Sequence, residues 1–352
     1  MSMKLLYAFC LVLLPALTWA QIDIPFDSLR GRGKTEDGKR IGRWILYNSY
    51  GQAVCVGDYK EDKKHGEWIF YDEYGEVLGT GNYQNDISVG EWKSYYPNGV
   101  VLSITYYNKQ GMRDSTYLEY HYNGRKSVEG VYDNDVRTGV WRNYYENGKI
   151  YSAGKYENGQ KTELWKYYNQ DGILVAEGPF VDDLENGQWF KYYDTGELKS
   201  IGSFVNGEEN GTWGLFYFNG QLIQEEEWED GKLMDIGPYY SIEGDTLPKG
   251  TFNKGEGVKM AYYVSGKLAN QVTYEDGVPH GTWTDYFEDG SISAKGEVKE
   301  GQREGPWTFY YLNGKVESEG LYENGEQVGK WKFYNRWGSL SEVVDYDQEN
   351  NI

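Results

Sequence analysis

The stretch "GVWRNYYENGKIYSAGKYENG" at residues 139–159 returns as "GPWTFYYLNGKVESEGLYENG" at residues 305–325. Each copy contains a Gly-x-Trp start, adjacent aromatic residues and two Asn-Gly dipeptides. Asn-Gly tolerates positive φ and favours tight hairpin turns, whereas Tyr, Trp, Val and Ile favour strands. The pattern therefore predicts a β-hairpin with a type I′ turn at Asn147-Gly148. A second turn at Asn158-Gly159 would lead to the next hairpin.

The same pattern continues along the chain as tandem repeats. We call the residue equivalent to Trp141 the anchor of its repeat, and most anchors are 24 residues apart, with one spacing of 25 and one of 22. A Gly follows every anchor by seven residues and an aromatic residue follows it by three. The thirteen anchors are Trp44, Trp68, Trp92, Tyr117, Trp141, Trp165, Trp189, Trp213, Gly237, Lys259, Trp283, Trp307 and Trp331.

These repeats predict an all-β fold, since fixed-period self-similarity indicates a repeat architecture and no segment shows a helical period. We expect an elongated single-layer antiparallel sheet of about thirteen tandem 24-residue β-hairpins, continuous if no strand is lost. A two-residue turn at Asn147-Gly148 would pair Trp141 with Gly154 and Gly139 with Tyr156, on one face. The glycine would leave space for the Trp ring, so the Trp anchors are interpreted as structural packing residues.

The first twenty residues have the composition of a secretory signal peptide. Lys4 precedes an apolar run at residues 5–14, and Ala20 offers a small residue for cleavage. The apolar run is shorter than the roughly 20 residues that span a bilayer. We expect an exported protein that is periplasmic, at the cell surface or secreted. Cys55 would then be the one cysteine left, so no internal disulfide is expected.

The composition of the chain and the regularity of its repeats indicate where its segments begin and end. The repeats around Gly237 and Lys259 lack a Trp anchor, which indicates a possible joint in the array. The flanking segments are polar and are interpreted as capping or frayed ends. The expected organisation is a signal peptide at 1–20, an N-terminal lead-in or cap at 21–41, the repeat array at 42–346 with a possible joint near 235–259, and a C-terminal tail at 347–352.

The charge of the chain narrows the classes of partner. The formal net charge is -20, from 35 Lys and Arg against 55 Asp and Glu. Such a surface repels nucleic-acid phosphates and anionic lipid headgroups, so neither is expected as a partner. The acidic residues are spread along the chain, which indicates a solvated surface rather than an acidic tail.

Catalytic chemistry is not indicated by the sequence. His65, His121 and His280 fall in separate repeats, and no nucleophile, metalloprotease or nucleotide-binding motif is present. Acid clusters at 133–135 and 182–186 match no calcium loop and are interpreted as solvated turn residues. We therefore expect no enzyme activity, no metal and no cofactor.

The aromatic row on the face opposite the Trp anchors is the candidate ligand surface. Tyr side chains combine a large apolar ring with a polar hydroxyl and are frequent contact residues for proteins and sugars. Mutual packing of these rings is the alternative interpretation. The residues chosen from this row are Tyr95, Tyr144, Tyr192, Tyr286 and Tyr310.

The repeats resemble MORN repeats, and more closely the bacterial MORN-repeat-variant group, some members of which carry an antitoxin label. The resemblance rests on "GEWKSYYPNGVVL", "GVWRNYYENGKIYSAGKYENG", "GQWFKYYDTGELKSIGSFVNG" and "GPWTFYYLNGKVESEGLYENG", with His-Gly steps at His65-Gly66 and His280-Gly281. It covers residues 42–346. It implies antiparallel β-ribbons that serve as interaction or membrane-apposition modules.

Three functions remain open from the sequence. The first is an exported, non-enzymatic scaffold for protein–protein interaction, with an unidentified protein partner. The alternative to it is binding of glycan or cell-wall polysaccharide through the Tyr row, or an antitoxin-like binding protein. The third is a structural spacer without a ligand. The sequence does not indicate the oligomeric state, although open sheet edges favour strand pairing between molecules.

Overall fold

The computed structural model describes residues 29–349, with side chains as far as residue 347. The predicted signal peptide at 1–20, the lead-in up to residue 28 and residues 350–352 lie outside the described residues. The described residues divide into two compact units, residues 29–173 and 174–349. The predicted all-β fold of tandem antiparallel hairpins is confirmed in both units.

In the first unit, each strand pairs antiparallel with the next one in sequence. β1 lies in the predicted lead-in, where it supplies the first anchor with a paired strand. The strands are β1 Arg30–Glu36, β2 Lys39–Tyr47, β3 Ala53–Lys60, β4 Lys63–Tyr71, β5 Val77–Gln84, β6 Ile87–Tyr95, β7 Val101–Tyr107, β8 Arg113–Tyr120, β9 Lys126–Asp133, β10 Val136–Tyr144, β11 Ile150–Glu157 and β12 Gln160–Tyr168.

The second unit contains three groups of antiparallel strands and one short helix. The first group is β13 Leu174–Val181, β14 Leu184–Glu185, β15 Gly187–Tyr192, β16 Leu198–Val205, β17 Glu208–Phe216, β18 Leu222–Glu229 and β19 Lys232–Ile236. The second is β20 Tyr239–Tyr240 with β21 Thr246–Leu247. The third is β22 Gly257–Tyr262, β23 Leu268–Glu275, β24 Val278–Tyr286, β25 Ile292–Lys299, β26 Gln302–Tyr310, β27 Val316–Glu323, β28 Glu326–Tyr334 and β29 Leu340–Asp345, followed by α1 Tyr346–Glu349.

The helix α1 has only four residues. Across residues 29–349, no helix has the length and apolar character needed to cross a membrane. In the second unit the sheet is interrupted between β19 and β22, so the condition for a continuous sheet is not met there. The interruption falls in the repeats that lack a Trp anchor.

The turn inside each hairpin differs from the predicted type I′ turn. Around Asn147-Gly148, the N–H of Tyr145 donates to the carbonyl of Lys149 (2.9 Å) and the N–H of Gly148 donates to the carbonyl of Tyr145 (2.8 Å). Only Gly148 has positive φ, at 87°, so the loop is a three-residue turn with a left-handed glycine. The type I′ geometry occurs instead at Asn158-Gly159, where both residues have positive φ.

The predicted register of the hairpin is nevertheless confirmed. Trp141 pairs with Gly154 and Gly139 pairs with Tyr156, and a bulge near Tyr144 absorbs the extra turn residue. The ring position differs from the prediction, because the Trp141 ring lies over Gly130 of the preceding repeat. A Cβ atom on Gly130 would be 2.2 Å from Cδ2 of Trp141, and one on Gly154 would be 2.1 Å from Cδ2 of Trp165. Each ring therefore joins its own repeat to the one before it.

The face that carries the anchors is here called the Trp face. Its aromatic rings are closely packed, and most of them are buried. Trp68, Trp141 and Trp165 are no more than 2% exposed, whereas Trp44 and Trp283 are half-buried. The Trp165 ring meets Tyr156 edge-on at 5.3 Å, and its Nε1–H donates to the carbonyl of Lys155 (3.2 Å). Such aromatic pairs contribute about 0.5–1.5 kcal/mol beyond burial, so the rings stabilise each junction between repeats.

Cationic side chains cover the outer side of these rings. They come mainly from the residue four positions before an anchor. Arg137 lies 4.7 Å from the ring centre of Trp141, and Arg303 lies 4.5 Å from that of Trp307. The aliphatic stems and cation–π contacts of these residues shield rings that a single-layer sheet would otherwise expose.

Where the glycine under the ring is missing, the size or the burial of the next anchor differs. Thr105 replaces it once, and the facing anchor is Tyr117 rather than Trp. Val272 replaces it in the second unit, and Trp283 is then half-buried, with its Nε1–H directed to Asp285 (2.8 Å). Loss of the glycine thus coincides with a smaller ring at Tyr117 and with a less buried ring at Trp283.

The third replacement is Glu226, which forms a buried ion pair. Its side chain is 7% exposed and contacts Lys259, which is 5% exposed and occupies an anchor position. Trp228 Nε1–H donates to the second carboxylate oxygen (3.1 Å). Burial opposes both charges, but each partner outweighs it, so the pKa of Glu226 is held below and that of Lys259 above its ordinary value. An ion pair thus replaces ring packing at the interrupted repeats.

Candidate functional site

The Tyr row predicted as a ligand surface lies at the ends of strands, on the face opposite the anchors. We call this surface the Tyr face. Every candidate residue is the last residue of its strand, adjacent to the turn, and is half-buried. Tyr95 and Tyr144 belong to the first unit, and Tyr192, Tyr286 and Tyr310 belong to the second. The candidates therefore form one row in each unit.

The hydroxyl groups of several of these residues are held by acids or amides from the preceding hairpin. Tyr192 donates to Glu177 (3.0 Å) and Tyr286 donates to Gln271 (3.1 Å). Burial, followed by a hydrogen bond to Glu129, raises the pKa of Tyr144 to about 12. The Tyr144 phenol therefore stays a neutral donor at physiological pH. The hydrogen bonds of Tyr192 and Tyr286 fix the orientation of their rings.

The remaining two candidates lie beside lysines. Lys295 lies 5.8 Å from the ring centre of Tyr310. Tyr95 is separated by two positions from Lys93, which pairs with Glu91 at 2.7 Å. Sequence reasoning missed the partner groups of the row. The available signal was the acid or amide that precedes several of the tyrosines by 15 residues, as Glu177 precedes Tyr192.

The Tyr face also exposes aliphatic side chains that the sequence analysis did not single out. In the first unit, Val131 is 38% exposed, Val140 is 49% and Leu164 is 48%. Strand alternation places them on the side opposite the anchors. In the second unit, Leu321 and Val343 are exposed on the equivalent face. The Tyr face is thus partly apolar and open, in contrast to the Trp face.

A second set of residues at the hairpin turns links neighbouring repeats. The residue four positions after an anchor is often Tyr, and its hydroxyl donates to a backbone carbonyl in the next repeat. Tyr145 donates to Tyr168 (2.8 Å), and His121 Nε2 lies 2.8 Å from the Tyr144 carbonyl in the same role. Asn147 Nδ2 adds a bond to the Gln170 carbonyl (2.8 Å). These side chains clamp one turn to the next.

Removing one such hydroxyl gives a measurable loss of local stability. We expect Tyr145→Phe to lower the opening free energy of the adjacent turn by about 1 kcal/mol, because it deletes one hydrogen bond to a part-buried carbonyl. Amide hydrogen exchange across residues 145–173 is the measurement. Tyr50→Phe is the matched control. Because the Tyr50 ring is 88% exposed, we expect removal of its hydroxyl to leave amide hydrogen exchange unchanged. Equal exchange in both variants would contradict the clamp.

Other turns use a different closing group and leave a ring exposed. Asn48, Asp72 and Asn335 occupy the position that Tyr145 has in its repeat, and their Oδ1 atoms accept backbone N–H groups of their own turns. In these three turns the residue two positions later is a large aromatic residue, whereas Asn169 caps its turn in the same way and is followed by Asp171. Tyr50 is 88% exposed, Tyr74 is 83% and Trp337 is 78%. Sequence reasoning did not separate these two kinds of turn.

The three histidines lie in different repeats and do not form a common site with Cys55. Cys55 is buried, and burial raises the pKa of its thiol to about 12. His280 lies 3.6 Å from Glu275. Among residues 29–349, no group of three or more His, Cys, Asp or Glu side chains is arranged to hold a metal ion.

Tandem antiparallel hairpins with ring-on-glycine junctions define a β-hairpin repeat protein. The sequence matches the MORN repeat variant family at residues 64–85, 88–109, 137–160, 185–206, 279–300 and 303–324. The chain is a MORN-repeat protein, as the resemblance in its sequence indicates. MORN repeats generally serve as modules for protein or membrane interaction and are not a known enzyme family.

Two of the solved structures that are similar to this chain share little sequence identity with it. A mutant of S. aureus TarM in complex with fondaparinux, alpha-GlcNAc-glycerol and UDP is 9% identical, with a TM-score of 0.25, over 34% of this chain and 23% of that chain. A TcdB2–TccC3–Cdc42 structure is 13% identical, with a TM-score of 0.16, over 92% and 21%. The chain thus spans less than a quarter of either of these two proteins. No curated protein matches its sequence.

Proposed function

We propose that this chain is a non-enzymatic scaffold that binds a protein partner through its Tyr face. The observation that supports this most directly is the contrast between the two faces. The Trp face is filled by anchors such as Trp141, at 2% exposure, whereas Val140 and Leu164 remain about half exposed on the Tyr face. Exposed apolar side chains beside fixed aromatic rings are typical of protein-binding surfaces.

The charge of the chain favours a partner with basic character. A net charge of -20 repels polyanions such as nucleic acids and acidic lipid surfaces. Complementary charge would instead steer a basic protein towards the sheet. We further propose that the protein is exported and acts in the periplasm or at the cell surface, on the basis of the signal-like composition of residues 1–20.

Affinity capture from an envelope extract tests this function. Residues 21–352 serve as bait after light crosslinking, and a near-stoichiometric protein is the expected catch. The variant Val140→Lys/Leu164→Lys places charge on the Tyr face without touching the Trp face, and Tyr144→Ala removes a ring of the row. We expect each to weaken partner binding at least about tenfold, or roughly 1.4 kcal/mol.

Leu312→Lys is the matched control, because Leu312 is 62% exposed but lies at a hairpin turn. Binding should survive this substitution. Retention of the partner by Val140→Lys/Leu164→Lys would contradict the proposed surface. Retention of cell-wall material without any protein would favour glycan binding, and capture of a toxin would favour the antitoxin-like function.

A further inference from the structure

The turns of the first two repeat hairpins, at residues 48–52 and 72–76, are here called the tips of those hairpins. Each carries an exposed tyrosine ring, Tyr50 or Tyr74. Asn48 Oδ1 accepts the N–H groups of Tyr50 and Gln52, both at 3.0 Å. Asp72 Oδ1 does the same for its own turn, at 2.9 Å from the N atoms of Tyr74 and Glu76. The turns are closed by these caps, so the exposed rings are not needed to close them. At several other tips, the position of the ring carries an Asn or Asp that itself caps the turn.

The two tips are held against each other and enclose a groove. Gln52 Nε2 donates to the backbone carbonyl of Glu73 (2.8 Å), which ties the first turn to the second. A cavity of about 300 Å³ lies at this junction, and Gln52, Tyr71, Asp72 and Tyr74 contribute to its lining. Successive hairpins are two strand spacings apart, about 9.5 Å, so the turn that carries Tyr50 adjoins the turn whose ring lines the groove.

The charge around the groove has one sign. Residues 48–52 and 72–76 include Asp72, Glu73 and Glu76 but no Lys, Arg or His. The charge of Glu73 and a hydrogen bond to its carboxylate raise the pKa of Tyr74, which places that carboxylate at the ring. Aromatic faces and carboxylates both attract cations, and together they resemble the lining of sites that accept guanidinium or ammonium groups.

We propose that the groove between the first two hairpin tips binds an Arg or Lys side chain of a basic peptide segment. The rings of Tyr50 and Tyr74 contact the cation and its aliphatic stem, while Asp72 and Glu73 supply the opposite charge. The peptide backbone then runs along the row of tips. This site does not rest on the partner proposed for the Tyr face, and either one can fail alone.

Fluorescence anisotropy with a labelled hexa-arginine peptide tests the site in the chain comprising residues 21–352. We expect Tyr50→Ser/Tyr74→Ser to weaken binding about tenfold, since two exposed cation–π contacts are lost. This variant keeps the net charge, so general attraction of the peptide to an acidic protein is unchanged. Both rings are more than 80% exposed, so the fold should survive, as a circular dichroism spectrum would verify.

Trp337→Ser is the matched control. Trp337 occupies the same turn position and is 78% exposed, but its neighbour is Arg336 in place of an acid. We expect its peptide affinity to equal that of the parent chain. Unchanged affinity in Tyr50→Ser/Tyr74→Ser would overturn the proposal. The proposal would also fail if Tyr50→Ser/Tyr74→Ser weakened the binding of a neutral oligosaccharide such as chitohexaose but not the binding of hexa-arginine. That result would assign the groove to sugars.

Discussion

Gly202→Ala will destabilise the repeats on either side of it by about 3 kcal/mol, at the upper end of what overpacking costs. A Cβ atom at this position would lie 2.0 Å from Cδ2 and 2.2 Å from Cε2 of Trp213. The ring is only 4% exposed and is packed edge-on against Phe204 at 5.1 Å, so it has little room to move. Hydrogen exchange in β15–β18 should report the loss as faster opening.

Gly237→Ala is the control for this effect. Its φ is not in the left-handed region, and the nearest atom to an added Cβ is Glu225 Cβ at 3.5 Å, an ordinary contact. We expect a change within about 0.5 kcal/mol there. The double variant Gly202→Thr/Trp213→Tyr copies the natural pair Thr105–Tyr117 and should recover part of the lost stability. Equal effects of the two glycine substitutions would show that the ring contact is not the cause.

Lys259→Met will destabilise the second unit by about 3–5 kcal/mol, because it leaves the Glu226 carboxylate buried without its counter-charge. The pair is nearly inaccessible to solvent, with side-chain exposures of 7% and 5%. Trp228 still donates one hydrogen bond to the carboxylate, but a neutral donor does not offset the charge. Urea unfolding followed in β18–β23 by hydrogen exchange measures the loss.

Glu226→Leu/Lys259→Met should regain most of that stability, because replacement of a buried pair by apolar residues is often neutral. If the double variant is as unstable as the single one, the ion pair is not the source of the effect.

The pH dependence of stability follows from the directions of the two pKa shifts. The pKa of Glu226 is lowered in the folded chain, so its contribution is complete above the unfolded value of about 4.3 and is lost as pH falls through the folded value. The pKa of Lys259 is raised, so its contribution is complete below about 10.4 and is lost as pH rises through the folded value. Between these limits the pair gives a flat profile.

The repeated columns of the sequence were sufficient to predict the strand pairing. The period of 24 residues predicted the tandem hairpins from β2 onward, apart from the interrupted repeats, and the pairing of Trp141 with Gly154 followed from counting residues across the turn. The turn type was wrong because Asn-Gly occurs at both turns of that repeat. The dipeptide alone does not distinguish a two-residue loop from a three-residue loop, since both use a left-handed glycine.

Strand register alone could not predict which of the two neighbouring strands the Trp ring covers. Trp141 has Gly154 on one side and Gly130 on the other, and both leave space for a ring. Side-chain rotamers decide between them, and they depend on packing in three dimensions. The exposed tips and the Glu226–Lys259 contact, between residues 33 positions apart, also depend on the folded arrangement. The ligand surface itself stays a prediction.

The ring-on-glycine contact constrains how such a gene can lengthen or shorten. The two members of each contact come from adjacent repeats, so the position of an in-frame loss of one period decides whether a glycine keeps its ring or meets a new one. Removal of residues 130–153 would bring Gly154 to the place of Gly130, and the contact with Trp165 would be kept. Removal of residues 117–140 would instead set Trp141 against Thr105, which faces a smaller Tyr ring in the native chain. Duplication and deletion are therefore tolerated only where the recombined neighbours match.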